Sequence, residues 1–126
     1  LLASGPPLRA PGDLANHVLL HTATRPHAWP DWLAAVGLDG LVPRAELSYG
    51  HFFMTLQAAG EGRGIAMVPR VLVAGDLAVG NLVVPIDIPV RSEGGYYLLY
   101  RAKHADVPKV RLFREWILAQ AAGAAA

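Results

Sequence analysis

At 126 residues the chain is long enough for one domain with a real core, and 53% apolar against 17% charged residues is rich for a soluble protein. That excess implies a well-buried sheet or a face that meets another surface. The formal charge is +1 with eleven scattered basic residues, which excludes a basic nucleic-acid stripe, and the lack of cysteine excludes disulfides and thiolate metal sites.

The start, LLASGPPLRAPGDL, is rich in Pro and Gly and reads as cut from a longer chain; it has no signal-peptide pattern. No apolar run approaches the ~20 residues of a membrane helix. The cytoplasm is the natural expectation, with no membrane partner. His17–Thr22, HVLLHT, suits a strand. After the turn ATRPH, Pro30 and Asp31 fit a first helical turn, and Trp29, Trp32, Leu33 and Val36 share one helical face. The two tryptophans are expected in the core, and Gly37 is expected to close the helix in the left-handed conformation.

Arg44–Tyr49 alternates as a strand does. A helix follows from about His51, with Phe53, Leu56, Ala59 and Gly60 on one side. Gly60, Gly62 and Gly64 then lead into the apolar strand Ile65–Val68. These glycines follow a helix and precede a strand, the reverse of a phosphate loop, so they are turn chemistry. A short helix spans Val71–Val79 and stops at Gly80, ahead of strands at Leu82–Ile86 and Tyr96–Arg101. Pro108 opens the last helix, whose stripe is Val110, Phe113, Ile117 and Ala121, with Arg111 and Glu115 spaced to pair. The final AAGAAA is expected to fray. Helices alternating with apolar strands predict an α/β fold with a mostly parallel sheet flanked by helices.

Chemistry has few places to reside. His17 and His21 stand four apart but lack a third ligand, so no metal is expected. Ser4, Ser48 and Ser92 sit in no nucleophile elbow, and Glu46, Glu61, Glu93 and Glu115 are scattered. Catalysis and cofactors are therefore not expected. The junction Ser48–Phe53, SYGHFF, is different, because it runs from a strand end into a helix start. Free amides and the helix dipole there favour a carboxylate or another small anion. Gly50 permits close approach, His51 adds a donor or a charge, and Tyr49 and Phe52 wall a pocket. The plainer reading makes Tyr49, Phe52 and Phe53 core and His51 a cap; Phe53 favours it.

The runs LLHTATRPHAWPDWLAAVGL, HFFMTLQAAGEGRGIAMVPRVLVAGDLAVGNLVVP, YYLLYR and VRLFREWI resemble the effector-binding domain of LysR-type transcriptional regulators. The first, with its arginine and two tryptophans, is similar to the branch of glycine-cleavage activators and β-lactamase regulators. The resemblance covers Pro7 to Gln120. It implies one lobe of a type 2 periplasmic-binding-protein-like domain, with residues 1–101 as the second lobe. Residues 102–126 would form a C-terminal return helix that packs on a missing first lobe. It further implies effector contacts at Tyr49, Gly50, His51, Phe52 and Tyr96, and more weakly at Thr22. The implied partners are a small-molecule effector, anionic by the junction's chemistry, and DNA through a missing N-terminal winged helix-turn-helix. A homo-oligomer is implied as well. The competing readings are a lobe of a periplasmic solute-binding protein for a small anionic solute and, less favoured, an enzyme.

Overall fold

A computed structural model describes residues 5–91 and 95–124. Ser4, Ser92 and Glu93, weighed above as catalytic groups, lie outside them. The chain divides into two compact units, Leu1–Val90 and Arg91–Ala126.

The first unit is built on three parallel strands in the order β2-β1-β3: β1 (Val18–Thr22), β2 (Ala45–Tyr49) and β3 (Ile65–Ala66). Helix α1 (Ala28–Ala35) joins β1 to β2, and α2 (Phe52–Gly60) joins β2 to β3. The two connections run in opposite directions along the sheet, so right-handed crossovers set their helices on opposite faces. The central strand is then buried on both sides, which is why it reads as an apolar run: Leu19 and Leu20 are 1% and 0% exposed. Leu19 packs with Trp29, Trp32 and Leu33 of α1. Thr22 lies against Thr55 of α2.

The tryptophans are buried, as their spacing predicts. Each indole N–H is satisfied, which makes deep burial of so large a ring affordable. Trp29 Nε1 donates to the Leu20 carbonyl at 3.0 Å and Trp32 Nε1 to the Ile88 carbonyl at 2.8 Å. The rings meet edge to face, centroids 6.1 Å apart. Gly37 closes α1 with φ of 74°, its amide bonded to the Ala34 carbonyl.

The Pro/Gly-rich start does more than its composition announces. It forms a 3-10 helix, Pro11–Asn16, and places Leu8 and Leu14 in the core. The Asp13 carboxylate accepts from the amides of Arg9 (2.8 Å) and Ala10 (3.0 Å). These two bonds hold its pKa below the ordinary 3.8.

Several elements depart from the sequence reading. β3 is paired only over Ile65–Ala66 rather than to Val68. Leu82–Ile86 and Tyr96–Arg101 are not strands. Apolar and β-branched content gives strand propensity, but a strand also needs a ladder partner, and neither segment has one among the described residues. Pro85 also removes a donor from the first of these stretches. The helix expected over Val71–Val79 is broken into a 3-10 turn, Arg70–Leu72, and a short α3, Ala74–Ala78. Val71, Val73 and Gly75 are weak helix formers, and the break falls at Val73. Gly80 stops α3 at φ of 76°, as expected.

The inward face of α2 also differs. Thr55 and Ala58 are buried, whereas Phe53, expected on the packed side, is 67% exposed. The turn after α2 is held by Glu61, which accepts from Arg63 Nε at 2.8 Å and Gln57 Nε2 at 3.1 Å. Gly62 there takes a φ of 74°.

In the second unit a 3-10 turn, Ala102–His104, precedes α4 (Pro108–Ala124), which opens at Pro108 as predicted. Arg114 Nη1 donates to the Tyr100 hydroxyl at 3.0 Å. The expected Arg111–Glu115 pair does not form; the ion pairs among the described residues are His21–Glu46, Arg63–Glu61 and Arg70–Asp87. Of the apolar stripe, Val110 and Ile117 are half-buried, while Phe113 is exposed, along with the flanking Leu112 and Trp116.

Candidate functional site: the strand-end corner before α2

In an open parallel sheet, ligands gather at the carboxyl ends of strands where the strand order reverses. Here the reversal falls at β1, flanked by β2 and β3. Thr22 and Tyr49 are register partners at the carboxyl ends of β1 and β2. The Ala23 amide donates to the Tyr49 carbonyl at 2.8 Å and extends this pairing into the loop.

From Tyr49 the chain turns through Gly50 into His51, the N-cap of α2, which is extended at φ −141° and ψ 156°. A Cβ on Gly50 would meet nothing within 4 Å, so one flank of this backbone is open. The amides of Met54 and Thr55 both donate to the His51 carbonyl, at 3.1 and 3.2 Å. The four amides before them, Gly50 to Phe53, have no acceptor among the described residues. They form a row of unsatisfied donors at the positive end of the α2 dipole. The His51 ring makes no capping bond and stacks on Phe53, centroids 5.9 Å apart. The plainer reading thus holds for His51, which is the N-cap by position though without a side-chain bond, and fails at Phe53, which is not core.

Behind the corner lies a polar contact that sequence reasoning missed. Thr55 is fully buried, and its Oγ1 lies 2.9 Å from Thr22 Oγ1 and 3.3 Å from the His51 carbonyl. This ties the end of β1 to the first turn of α2. The available signal was the i, i+4 spacing of His51 and Thr55, which lets a helical threonine bond back to the carbonyl one turn earlier. The two threonines are not equivalent. Thr22→Val leaves Thr55 bonded to the His51 carbonyl and is expected to cost under about 1 kcal/mol. Thr55→Val strands a buried hydroxyl on Thr22 and is expected to cost about 1–3 kcal/mol. Urea denaturation of both variants checks the order; equal costs would mean that the pair does not hold the corner.

The structure therefore joins five of the six sequence-derived site residues, Thr22, Tyr49, Gly50, His51 and Phe52, around one corner. Tyr96 belongs to the other unit, on an unpaired stretch and 68% exposed. The strand that was to present it does not form. His17 and His21, the considered metal pair, diverge: His17 Nε2 faces the Pro7 carbonyl and His21 faces Glu46.

A parallel lobe with its open corner at the strand ends is the architecture of a periplasmic-binding-protein-like ligand domain. The family model described as LysR substrate binding domain matches residues 1–122, and the chain belongs to that family. Among its relatives is the glycine cleavage system transcriptional activator of Escherichia coli K12. It is 36% identical over 122 residues, which cover 97% of this chain and 40% of that protein. The HTH-type transcriptional regulator TrpI of Pseudomonas aeruginosa is 36% identical over 97% of this chain and 39% of its own length. The solved effector domain of the transcriptional regulator AmpR of Pseudomonas aeruginosa matches with a TM-score of 0.66 at 27% identity. That match covers 94% of this chain and 56% of the solved one. The chain thus spans about two-fifths of the length of these two curated relatives. Both are transcriptional regulators rather than enzymes.

Proposed function

We propose that the chain senses a small anionic effector for a LysR-type bacterial transcription regulator, without catalysing a reaction. Residues 1–101 serve as the second lobe of the effector-binding domain, and residues 102–126 return to the first lobe. The carrying observation is the row of free amides from Gly50 to Phe53 at the start of α2, beside the carboxyl ends of β1 and β2. Such a row suits a carboxylate or sulfate, which gains several charge-assisted bonds in one place. Tyr49 and Phe52 flank the anion and His51 supplies a further donor. Thr22 holds the floor through Thr55, and Tyr96 is a further candidate effector contact.

Effector binding then shifts the balance between two arrangements of the lobes. Transcription responds through a winged helix-turn-helix outside this sequence, in a cytoplasmic homo-oligomer. The regulators among the relatives support this reading over a solute-binding lobe for transport. In the full-length regulator, His51→Ala is expected to raise the effector concentration for half-maximal response about tenfold, with folding intact. Reporter induction and a thermal melt check both points; unchanged induction would remove His51 from the site.

A further inference from the structure

The turn between α1 and β2 carries chemistry that the anion corner does not use. Asp39 is the one aspartate or asparagine in the chain that a glycine follows. The Leu41 amide donates to the Leu38 carbonyl at 3.0 Å and closes a four-residue turn, with Asp39 and Gly40 as its central residues. Both central residues are exposed. The flanking Leu38 and Leu41 are half-buried and pack against the core cluster that holds Trp29, Trp32 and Leu33.

The local geometry leaves this pair free to react. The Asp39 carboxylate takes part in none of the ion pairs among the described residues. The Gly40 amide has no backbone acceptor among them either, since a turn of this kind bonds only its outer residues. A Cβ at Gly40 would meet nothing within 4 Å, so its nitrogen is open to approach. Other aspartates are held: Asp13 by two amides, Asp76 by Asn81 and Asp87 by Arg70, while Asp31 lies within α1.

We propose that Asp39–Gly40 is a self-modification site at which the aspartate isomerises to isoaspartate. The Gly40 nitrogen attacks Asp39 Cγ from within the same turn, so the encounter is intramolecular. An N–Cγ bond forms, and a carboxyl oxygen leaves as water with the amide and carboxyl protons, giving a cyclic imide. Water then adds to the Asp39 α-carbonyl carbon, whose bond to the Gly40 nitrogen breaks while the link to Cγ stays. One water leaves and one enters, so the composition is unchanged. The main chain now runs through Cβ and Cγ and is one carbon longer. That carbon must be absorbed between Leu38 and Leu41, which loosens their packing on α1. The turn leads into the amino end of β2 and the anion corner lies at its carboxyl end, so the two proposals stand separately.

The test incubates the full chain at neutral pH and physiological temperature in water enriched in heavy oxygen. Protein-isoaspartate methyltransferase with a labelled methyl donor is the probe, followed by mapping of the tryptic peptide that ends at Arg44. Label and heavy oxygen are expected to accumulate at Asp39 in the folded chain as well as in a urea-unfolded control. Asp39→Glu, whose larger ring closes poorly, is expected to lose the signal. Gly40→Ala, whose methyl crowds the attacking nitrogen, is expected to lose most of it. The separated isoaspartyl protein should melt below the fresh protein. Label in the unfolded control alone, an unchanged signal in Asp39→Glu, or label spread evenly over the other aspartates would each overturn the site. An unchanged melt would overturn its effect on the α1–β2 connection.

Discussion

Trp29→Ala is expected to cost about 3–5 kcal/mol, the largest loss of any single truncation in the chain. The ring is 3% exposed in the cluster that joins α1 to β1 and the N-terminal 3-10 helix. Truncation removes its packing, opens a cavity beside Trp32, and frees the Leu20 carbonyl from the bond it accepts at 3.0 Å. Against a typical total of roughly 5–15 kcal/mol, this removes a large share of the margin. Trp29→Phe retains most of the volume and loses the N–H, so it should fall between wild type and Ala. Denaturant titration orders the three proteins; a Trp29→Ala cost under 1 kcal/mol would mean that α1 is not docked as described.

Gly64→Ala comes next, by a different mechanism. A Cβ at this position would stand 2.6 Å from the Val18 carbonyl oxygen and 2.8 Å from Leu20 Cδ2. The first of these is backbone of the central strand, which cannot turn away as a side-chain tip would. The substitution must push β3 off β1, at an expected cost of about 1–3 kcal/mol. Gly40→Ala is the control, because its Cβ meets nothing within 4 Å and its φ is not left-handed. It should stay within about 0.5 kcal/mol of wild type. Comparable losses in the two variants would refute the close approach at Gly64.

The difference between these two glycines marks what a sequence discloses. Gly37 and Gly80 were legible as helix stops because each follows an apolar helical face and needs only local backbone freedom. Gly64 was legible as part of a turn, but its reason for being glycine is a neighbouring strand forty-six residues away in the chain, at Val18. The strands β1 and β2 were legible for the same local reason, since HVLLHT and RAELSY each carry their own pattern. Leu82–Ile86 and Tyr96–Arg101 carry the pattern too. A strand, however, is completed by a partner, and propensity does not supply one. The corner at Gly50–Phe53 was legible because free amides at a helix start follow from helix geometry alone. The Thr22–Thr55 contact was not, because it depends on which face of α2 turns inward. Phe53 suggested one face, and Thr55 and Ala58 occupy the other. Leu8 and Leu14 were hidden by the prolines and glycines around them.

The central claim is that the amides at the start of α2 receive an anion. Its most direct test is a backbone-amide NMR titration of the chain with acetate and sulfate, at ionic strength held constant with chloride. Saturable shifts are expected at Gly50, His51, Phe52 and Phe53, with smaller ones relayed to Thr22 and Thr55 behind them. Shifts spread over the surface lysines and arginines, with those four amides unmoved at saturating anion, would contradict it.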